Sequence, residues 1–296
     1  MALTDLFEKK TVFSLEVFPP HTEVGIENLS KTLVDLKQIK PDFISVTLGA
    51  GGLAKSEDTI KVADFIQNDL KIPAVAHVPG LYQSKDKITK LLDDLAAHDV
   101  KNVLVLRGDA IEGEIPVGEF NHANDLAAFI KEYGTFDIAG ACYPQVHLES
   151  TSTVDDIRYL KKKVDAGITH LITQVFFDNT HFYNFKERLE LADIAAPVEA
   201  GIMPCTNKKQ IERIAQITGI ELPKKFVSIL SRYENKPEAM RDAGIAFAVD
   251  QIVDLVSSGV DGIHLYTMNN ADNAKRIWEA THSLFEDAAD VKAATH

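Results

Sequence analysis

Glu16 stands inside the apolar run Phe13-Ser14-Leu15-Glu16-Val17-Phe18, a segment of strand character whose carboxyl is expected to face a packed interior. Burial disfavours the charged form of a carboxyl. The expectation is therefore a group kept neutral near pH 7, the state a general acid needs; a structural glutamate paired with Arg107 is the alternative. Leu106-Arg107-Gly108-Asp109 opens a stretch that reaches Phe120 without regular period. That is far longer than an ordinary βα connection, and it is read as functional. Arg107 is suited to a phosphate, and Asp109 to a fixed negative charge or to accepting hydrogen bonds from a heterocycle.

Further polar residues stand at the ends of other apolar runs: Thr47, His77, Tyr143 with His147, Gln174, and Tyr266 with Asn269. Any one of them could be a core polar group satisfied by a neighbour. Their convergence on one rim is what a large polar ligand requires. The ten histidines include no H-x-H and no H-E-x-x-H, so a metal site would have to assemble from separate strands and is not expected. No G-x-S-x-G elbow occurs, and Cys142 and Cys205 stand 63 positions apart with no activating neighbour in sequence. Nucleophilic catalysis is disfavoured, and neither a disulfide framework nor a zinc knuckle is indicated.

The elements that must position these groups alternate along the chain. Strand candidates fall at 12–18, 42–48, 73–78, 101–106, 136–143, 169–176, 197–203 and 262–267, and amphipathic helical stretches at about 26–40, 55–69, 84–98, 121–133, 153–166, 179–192, 206–218 and 271–285. The gap before the last strand holds extra helical material at about 223–232 and 237–258, with Pro223 and Pro237 as first-turn residues. Eight βα units with mostly apolar strands predict an α/β fold, a closed parallel (β/α)8 TIM barrel with extra helices between strands seven and eight. A doubly wound sheet is the alternative. It would want a Gly-rich fingerprint after the first strand, where this chain has Phe18-Pro19-Pro20; the run Leu48-Gly49-Ala50-Gly51-Gly52 is not G-x-G-x-x-G and reads as a flexible turn.

The chain has 296 residues, 45% hydrophobic and 25% charged, which excludes disordered, collagenous and coiled-coil classes. No linker or composition shift divides it, so residues 1–296 are expected to form one barrel domain, with about 286–296 as a flexible tail. Its 31 Lys+Arg against 44 Asp+Glu give a net charge of −13, which repels nucleic acid and anionic membrane surfaces. The clusters Lys161-Lys162-Lys163 and Lys208-Lys209 are the exceptions that could serve an anionic ligand. The N-terminus lacks an apolar h-region, and no uncharged apolar stretch reaches about 18 residues. A soluble, cytoplasmic protein is expected.

Eight strings in the same order resemble methylenetetrahydrofolate reductases, the flavin-dependent barrels of one-carbon metabolism. They are Ser14-Leu15-Glu16-Val17-Phe18-Pro19-Pro20, Ser45-Val46-Thr47-Leu48-Gly49-Ala50, Leu106-Arg107-Gly108-Asp109, Tyr143-Pro144-Gln145-Val146-His147, Lys161-Lys162-Lys163-Val164-Asp165-Ala166-Gly167, Ile172-Thr173-Gln174-Val175-Phe176-Phe177-Asp178, Gly201-Ile202-Met203-Pro204 and His264-Leu265-Tyr266-Thr267-Met268-Asn269. The chain looks like the short bacterial form. The resemblance implies non-covalent FAD, hydride from NADH or NADPH, and ping-pong reduction of 5,10-methylenetetrahydrofolate to 5-methyltetrahydrofolate by a homo-oligomer. It makes Glu16 the donor of a proton to N10 and places Asp109 by the flavin and pterin, where its charge stabilises a 5-iminium cation. It assigns Gln174, with Tyr266, to the folate, and Thr47, His77, Arg107, Gly108, Asp109, His122, Ala123, Tyr143, His147, Asp156 and Lys163 to FAD.

Two positions depart from the family pattern. Lys208 stands where bacterial members place a phenylalanine against the substrate, and Asn270 where arginine is usual. Lys208 is accordingly expected to serve the anionic tail of the folate. The competing readings are a metal-dependent barrel lyase or hydrolase, and a flavin or pterin carrier without turnover.

Overall fold

The computed structural model describes residues 3–20, 22–48, 56–134 and 136–294, with side chains described as far as 285. Eight strands run parallel and close in chain order: β1 (Val12–Val17), β2 (Ile44–Val46), β3 (Ala74–Pro79), β4 (Asn102–Leu106), β5 (Asp137–Cys142), β6 (His170–Thr173), β7 (Val198–Ile202) and β8 (Gly262–Tyr266). The last strand pairs with the first, Val12 opposite Gly262 through Glu16 opposite Tyr266. This is the TIM barrel expected from the alternation, and the doubly wound sheet is set aside. The Gly49–Gly52 run lies outside the described residues.

Strand alternation divides the apolar residues between two cores. Phe13, Leu15, Val17, Val46, Val103, Val105, Leu171, Val198, Ile263 and Leu265 face outward into the helical layer. Val12, Phe43, Val75, Leu104, Ala139 and Ile172 fill the inside, where they meet Leu3 and Phe7. Phe7 belongs to the short helix α1 (Thr4–Phe7) and Leu3 is the residue just before it, and together they close the N-terminal end of the barrel. Sequence period could not reveal α1, because four residues make only one turn.

The surrounding helices are α2 (Glu23–Lys37), α3 (Ser56–Asp64) with a π-helical turn at Phe65–Asp69, α4 (Lys85–Ala97), α5 (Ala123–Tyr133), α6 (Thr153–Asp165), α7 (Asn179–Leu191), α8 (Lys208–Thr218), α9 (Lys224–Tyr233), α10 (Pro237–Ser257) and α11 (Ala271–Ala294). Side-chain oxygens of Thr22, Ser84, Ser152, Asp178 and Asn207 accept first-turn N–H groups and start α2, α4, α6, α7 and α8. Helical backbone runs into the stretch 286–296 expected to be a flexible tail, whose last two residues are outside the described part.

The insertion α9–α10 packs with the β7 end through Val175, Phe177, Cys205, Phe226, Leu230 and Met240. Gly244 of α10 lets the helix touch the Cys205 carbonyl, since a Cβ there would lie 1.7 Å from that oxygen. Strand six stops three residues before its expected end at 176. The Gln174 N–H donates to the Cys142 carbonyl and Gln174 Oε1 accepts from the Val175 N–H, which turns the chain away toward α9.

Candidate active site

The C-terminal ends of the strands surround a cavity of about 530 Å³ lined by Glu16, Thr47, His77, Arg107, Gly108, Asp109, Tyr143, His147, Gln174 and Tyr266 among others. An adjoining cavity of about 230 Å³ shares Arg107, Tyr143 and His147 with it and adds His122, Ala123, Asp156 and Lys163. Of the residues singled out in the sequence as catalytic, cofactor-binding, substrate-binding or rim groups, all but Lys208 and Asn269 therefore line one or other cavity.

Glu16 Oε2 lies 3.4 Å from His77 Nε2, 3.5 Å from His264 Nε2 and 3.5 Å from Ser45 Oγ. Burial pushes its pKa up, but the hydrogen bond to His264, the charges of His77 and His264, and Ser45 outweigh burial and hold the carboxyl below the ordinary 4.5. This corrects the expectation of a carboxyl kept neutral by an apolar setting. Phe13, Leu15 and Val17 point the other way, and Glu16 shares its face of β1 with Ser14 and, at the far end of the strand, Val12. Glu16 is not paired with Arg107 either. That guanidinium grips Glu149 with both terminal nitrogens, the Nη2–Oε1 contact being 2.9 Å, and Nε donates to the Gly108 carbonyl.

His264 and Ser14 were missed as site residues, although β8 alternation puts His264 on the face of Tyr266. Ser14 Oγ lies 2.6 Å from His264 Nδ1 and 2.6 Å from Oε1 of Glu199 on β7. Glu199 and His264 are fully buried. Burial pushes the Glu199 carboxyl up to about 7, against the lowering by His264 and Ser14. A carboxylate inside an apolar strand was the signal used for Glu16, and Val198-Glu199-Ala200 repeats it.

In the second cavity the Lys163 ammonium donates to the Ala141 carbonyl at 2.8 Å and lies 5.9 Å from the Tyr143 ring centre. Burial depresses its pKa, with Cys142 and Asp156 acting the other way. Among the described residues no carboxylate is within ion-pair distance of Lys163. Asp156 instead accepts from the His147 N–H at 3.2 Å and the Ser150 hydroxyl at 2.7 Å. Val146 holds the left-handed φ of +73°, a strained state for a β-branched residue, in the turn that presents His147 edge-on to Tyr143. A partly buried cation with a neutral acceptor, beside an aromatic ring, is a fit for an anionic, partly aromatic group such as FAD.

Gln174, just after β6, and Tyr266, at the end of β8, line the larger cavity. The Tyr266 hydroxyl donates to the Thr173 carbonyl at 2.7 Å, and burial pushes its pKa well above 10, so it presents a ring face rather than an anion. Asp109 is exposed at the rim, after Gly108 at φ +88°. Burial raises both thiols, Cys205 to about 11, which makes them poor nucleophiles. Among the described residues no group of three or more His, Cys, Asp or Glu side chains could hold a metal, and no helix is long and apolar enough to cross a membrane.

The two departures have local explanations. Asn270 caps α11, its Oδ1 accepting from the Asn273 N–H at 3.0 Å. Lys208 joins α8 to α9, 3.0 Å from Glu234, and lies 3.9 Å from Glu212. Lys208→Ala is thus expected to lower Tm slightly, less so at high salt, and to leave the KM for a folate substrate unchanged. A raised KM in steady-state kinetics would return Lys208 to the substrate.

A family model described as methylenetetrahydrofolate reductase matches residues 2–282. The 5,10-methylenetetrahydrofolate reductase of Pectobacterium carotovorum subsp. carotovorum is 33% identical over 260 residues, 88% of this chain and 86% of the relative. The protein of that name from Escherichia coli K12 is 31% identical over 262 residues with the same coverage. Methylenetetrahydrofolate reductase (NADH) 1 of Arabidopsis thaliana is 34% identical over 275 residues, 88% of this chain but 46% of its own length. Among solved structures, a Clostridium thermocellum protein described as binding two copies of 5-methyl-5,6,7,8-tetrahydrofolic acid superposes with a TM-score of 0.67 over 98% of both chains at 14% identity. That last likeness is one of fold.

Proposed function

Because the chain belongs to the methylenetetrahydrofolate reductase family, we propose that it reduces 5,10-methylenetetrahydrofolate to 5-methyltetrahydrofolate, taking hydride from NADH or NADPH through a non-covalently held FAD in two separate half-reactions. The observation that supports this most directly is the pairing of the two cavities. One carries a carboxyl between two histidines, and the other carries a partly buried lysine with no carboxylate in ion-pair distance among the described residues.

FAD, when bound, would supply the hydride relay between nicotinamide and folate. Lys163, with Arg107 after release from Glu149, would hold its phosphates, and Thr47, His77, Gly108, His122, Ala123, Tyr143, His147 and Asp156 would surround it. Glu16 gives a proton to N10, which opens the five-membered ring of the substrate and leaves a 5-iminium cation. Asp109 at the rim holds a negative charge near that cation. Gln174 has an amide nitrogen to donate while its oxygen is engaged by the Val175 N–H, so it can orient the pterin, with Tyr266 beside it.

The purified protein is expected to be yellow and to release FAD, rather than FMN, on heating or acidification. Arg107, His147 and Lys163 offer more anion contacts than one phosphate uses. NADH should bleach the flavin, and methylenetetrahydrofolate should restore its colour. A colourless protein that turns over only with a divalent metal would overturn the reading.

A further inference from the structure

The carboxyl assigned to donate a proton has two histidines against it, which favour its charged form. Behind it lies a continuous line of exchangeable groups: Glu16 Oε2, His264 Nε2 at 3.5 Å, His264 Nδ1 to Ser14 Oγ at 2.6 Å, and Ser14 Oγ to Glu199 Oε1 at 2.6 Å. Resting on the reductase reading above, we propose that Glu199 is a positioning residue that stores the proton for Glu16 and passes it through Ser14 and His264.

The geometry allows three arrangements of the same protons: an imidazolium between two carboxylates, with Ser14 donating to Glu199, and two with a neutral ring, which are the ends of the relay. Ser14 has one hydroxyl proton for two partners at equal distance, so one partner must donate to it. If Glu199 carries the proton, it donates to Ser14, Ser14 donates to His264 Nδ1, and the imidazole N–H sits on Nε2 facing an ionised Glu16. If Glu16 carries the proton, every bond in the line reverses: Nε2 becomes the acceptor, Nδ1–H donates to Ser14, and Ser14 donates to the Glu199 carboxylate. Passing from the first of these ends to the second breaks the Glu199 O–H, Ser14 O–H and Nε2–H bonds. It forms Ser14 O–H, Nδ1–H and Glu16 O–H bonds. One proton moves from Glu199 to Glu16, one negative charge moves back, and no electrons change hands.

The surroundings favour the arrangement with the proton on Glu199 at rest. Glu199 Oε2 is buried with no hydrogen-bond partner among the described residues, which a neutral carboxyl's carbonyl tolerates far better than a carboxylate does. The groups acting on Glu199 from the adjoining elements are mainly acidic. Asp42, before β2, is engaged with Lys10, and Asp261, before β8, with Lys186. His264 of β8 is the cationic neighbour when protonated, and its charge also acts on His170 of β6. The raised pKa of Glu199 and the lowered pKa of Glu16 agree with that order. Substrate seated on Glu16 displaces water from it and makes it the better base, which draws the stored proton forward.

The test compares the parent, Glu199→Gln and Ser14→Ala as full-length, FAD-loaded enzymes. In the parent, folate reduction should hold to about pH 7 and decline above it. In Glu199→Gln the decline should begin at lower pH, with a rate about tenfold or more below the parent near pH 6 and convergence of the two above about pH 8. Ser14→Ala, which keeps Glu199 but interrupts the line, should show the same profile as Glu199→Gln. Independently of turnover, infrared spectra of the resting protein near pH 6 should show a buried protonated-carboxyl C=O band that is lost in Glu199→Gln and kept in Glu16→Gln. Parent-like pH profiles in both variants, or a band that survives Glu199→Gln, would overturn the relay. A parent that does not reduce methylenetetrahydrofolate at all would instead sink the reductase reading, and the infrared result would still decide where the proton resides.

Discussion

Glu16→Gln is expected to slow the reduction of methylenetetrahydrofolate by about 10²–10⁴-fold, the range for a lost general acid, while the protein still holds FAD and still oxidises NADH in the presence of menadione. The substitution keeps the size and polarity of the side chain, so its contacts with Ser45, His77 and His264 can be remade by the amide. What is lost is the one acidic proton beside the position assigned to N10. Hydride transfer from the nicotinamide needs no such proton, so the two half-reactions should separate. Stopped-flow absorbance of the flavin reads each half-reaction alone. Equal slowing of both would assign Glu16 to the shape of the cavity, and near-parent folate reduction with FAD retained would remove it from the chemistry altogether.

The second large effect concerns stability. Glu199 has a folded-state pKa near 7 against an ordinary 4.5, because it is buried beside Asp42 and Asp261. A carboxyl whose pKa is raised by folding stabilises the fold most below its unfolded pKa, and that contribution is lost as pH rises through the folded value. The difference corresponds to about 3 kcal/mol. Glutamine does not titrate, so urea unfolding of Glu199→Gln should gain on the parent by about that amount between about pH 4 and pH 8. Ionisable groups that do not interact with Glu199 cancel in the comparison, whereas His264, Asp42 and Asp261, which act on it, shift with the substitution. A constant stability difference across that range would show that Glu199 titrates in the folded state as an ordinary carboxyl.

How much of this was legible beforehand depends on whether the information is local. Strands such as Val103-Leu104-Val105 and helices with a clean apolar face announce themselves through period alone, and the insertion of α9 and α10 announced itself through Pro223 and Pro237. The rim residues Thr47, His77, Arg107 and Gln174 were legible because a barrel's chemistry collects at strand ends. The protonation of Glu16 was not. It depends on His77 and His264, which come from β3 and β8 and meet Glu16 only in the closed barrel. The partner of Arg107 was hidden in the same way, since Glu149 lies beyond the next strand. Glu199 could have been read by the rule applied to Glu16, a charged residue in an apolar strand. It is the second residue of β7, away from the C-terminal end of the strand, so a search of those ends passes it by.

The seam between β1 and β8 ties the site to the order in which the chain is made. Glu16 pairs in register with Tyr266, its carbonyl accepts from the Thr267 hydroxyl and N–H, and Asn269 clasps the backbone of Phe18 from both sides. During synthesis the first strand leaves the ribosome about 250 residues before its neighbour on that side. Until β8 emerges, Glu16 has neither His264 beside it nor a strand along that edge, and the edge of β1 is open to other chains. The contact that prepares the acid is therefore also the contact that completes the barrel, so a nascent or truncated chain ending before residue 262 lacks both the closed fold and the prepared carboxyl.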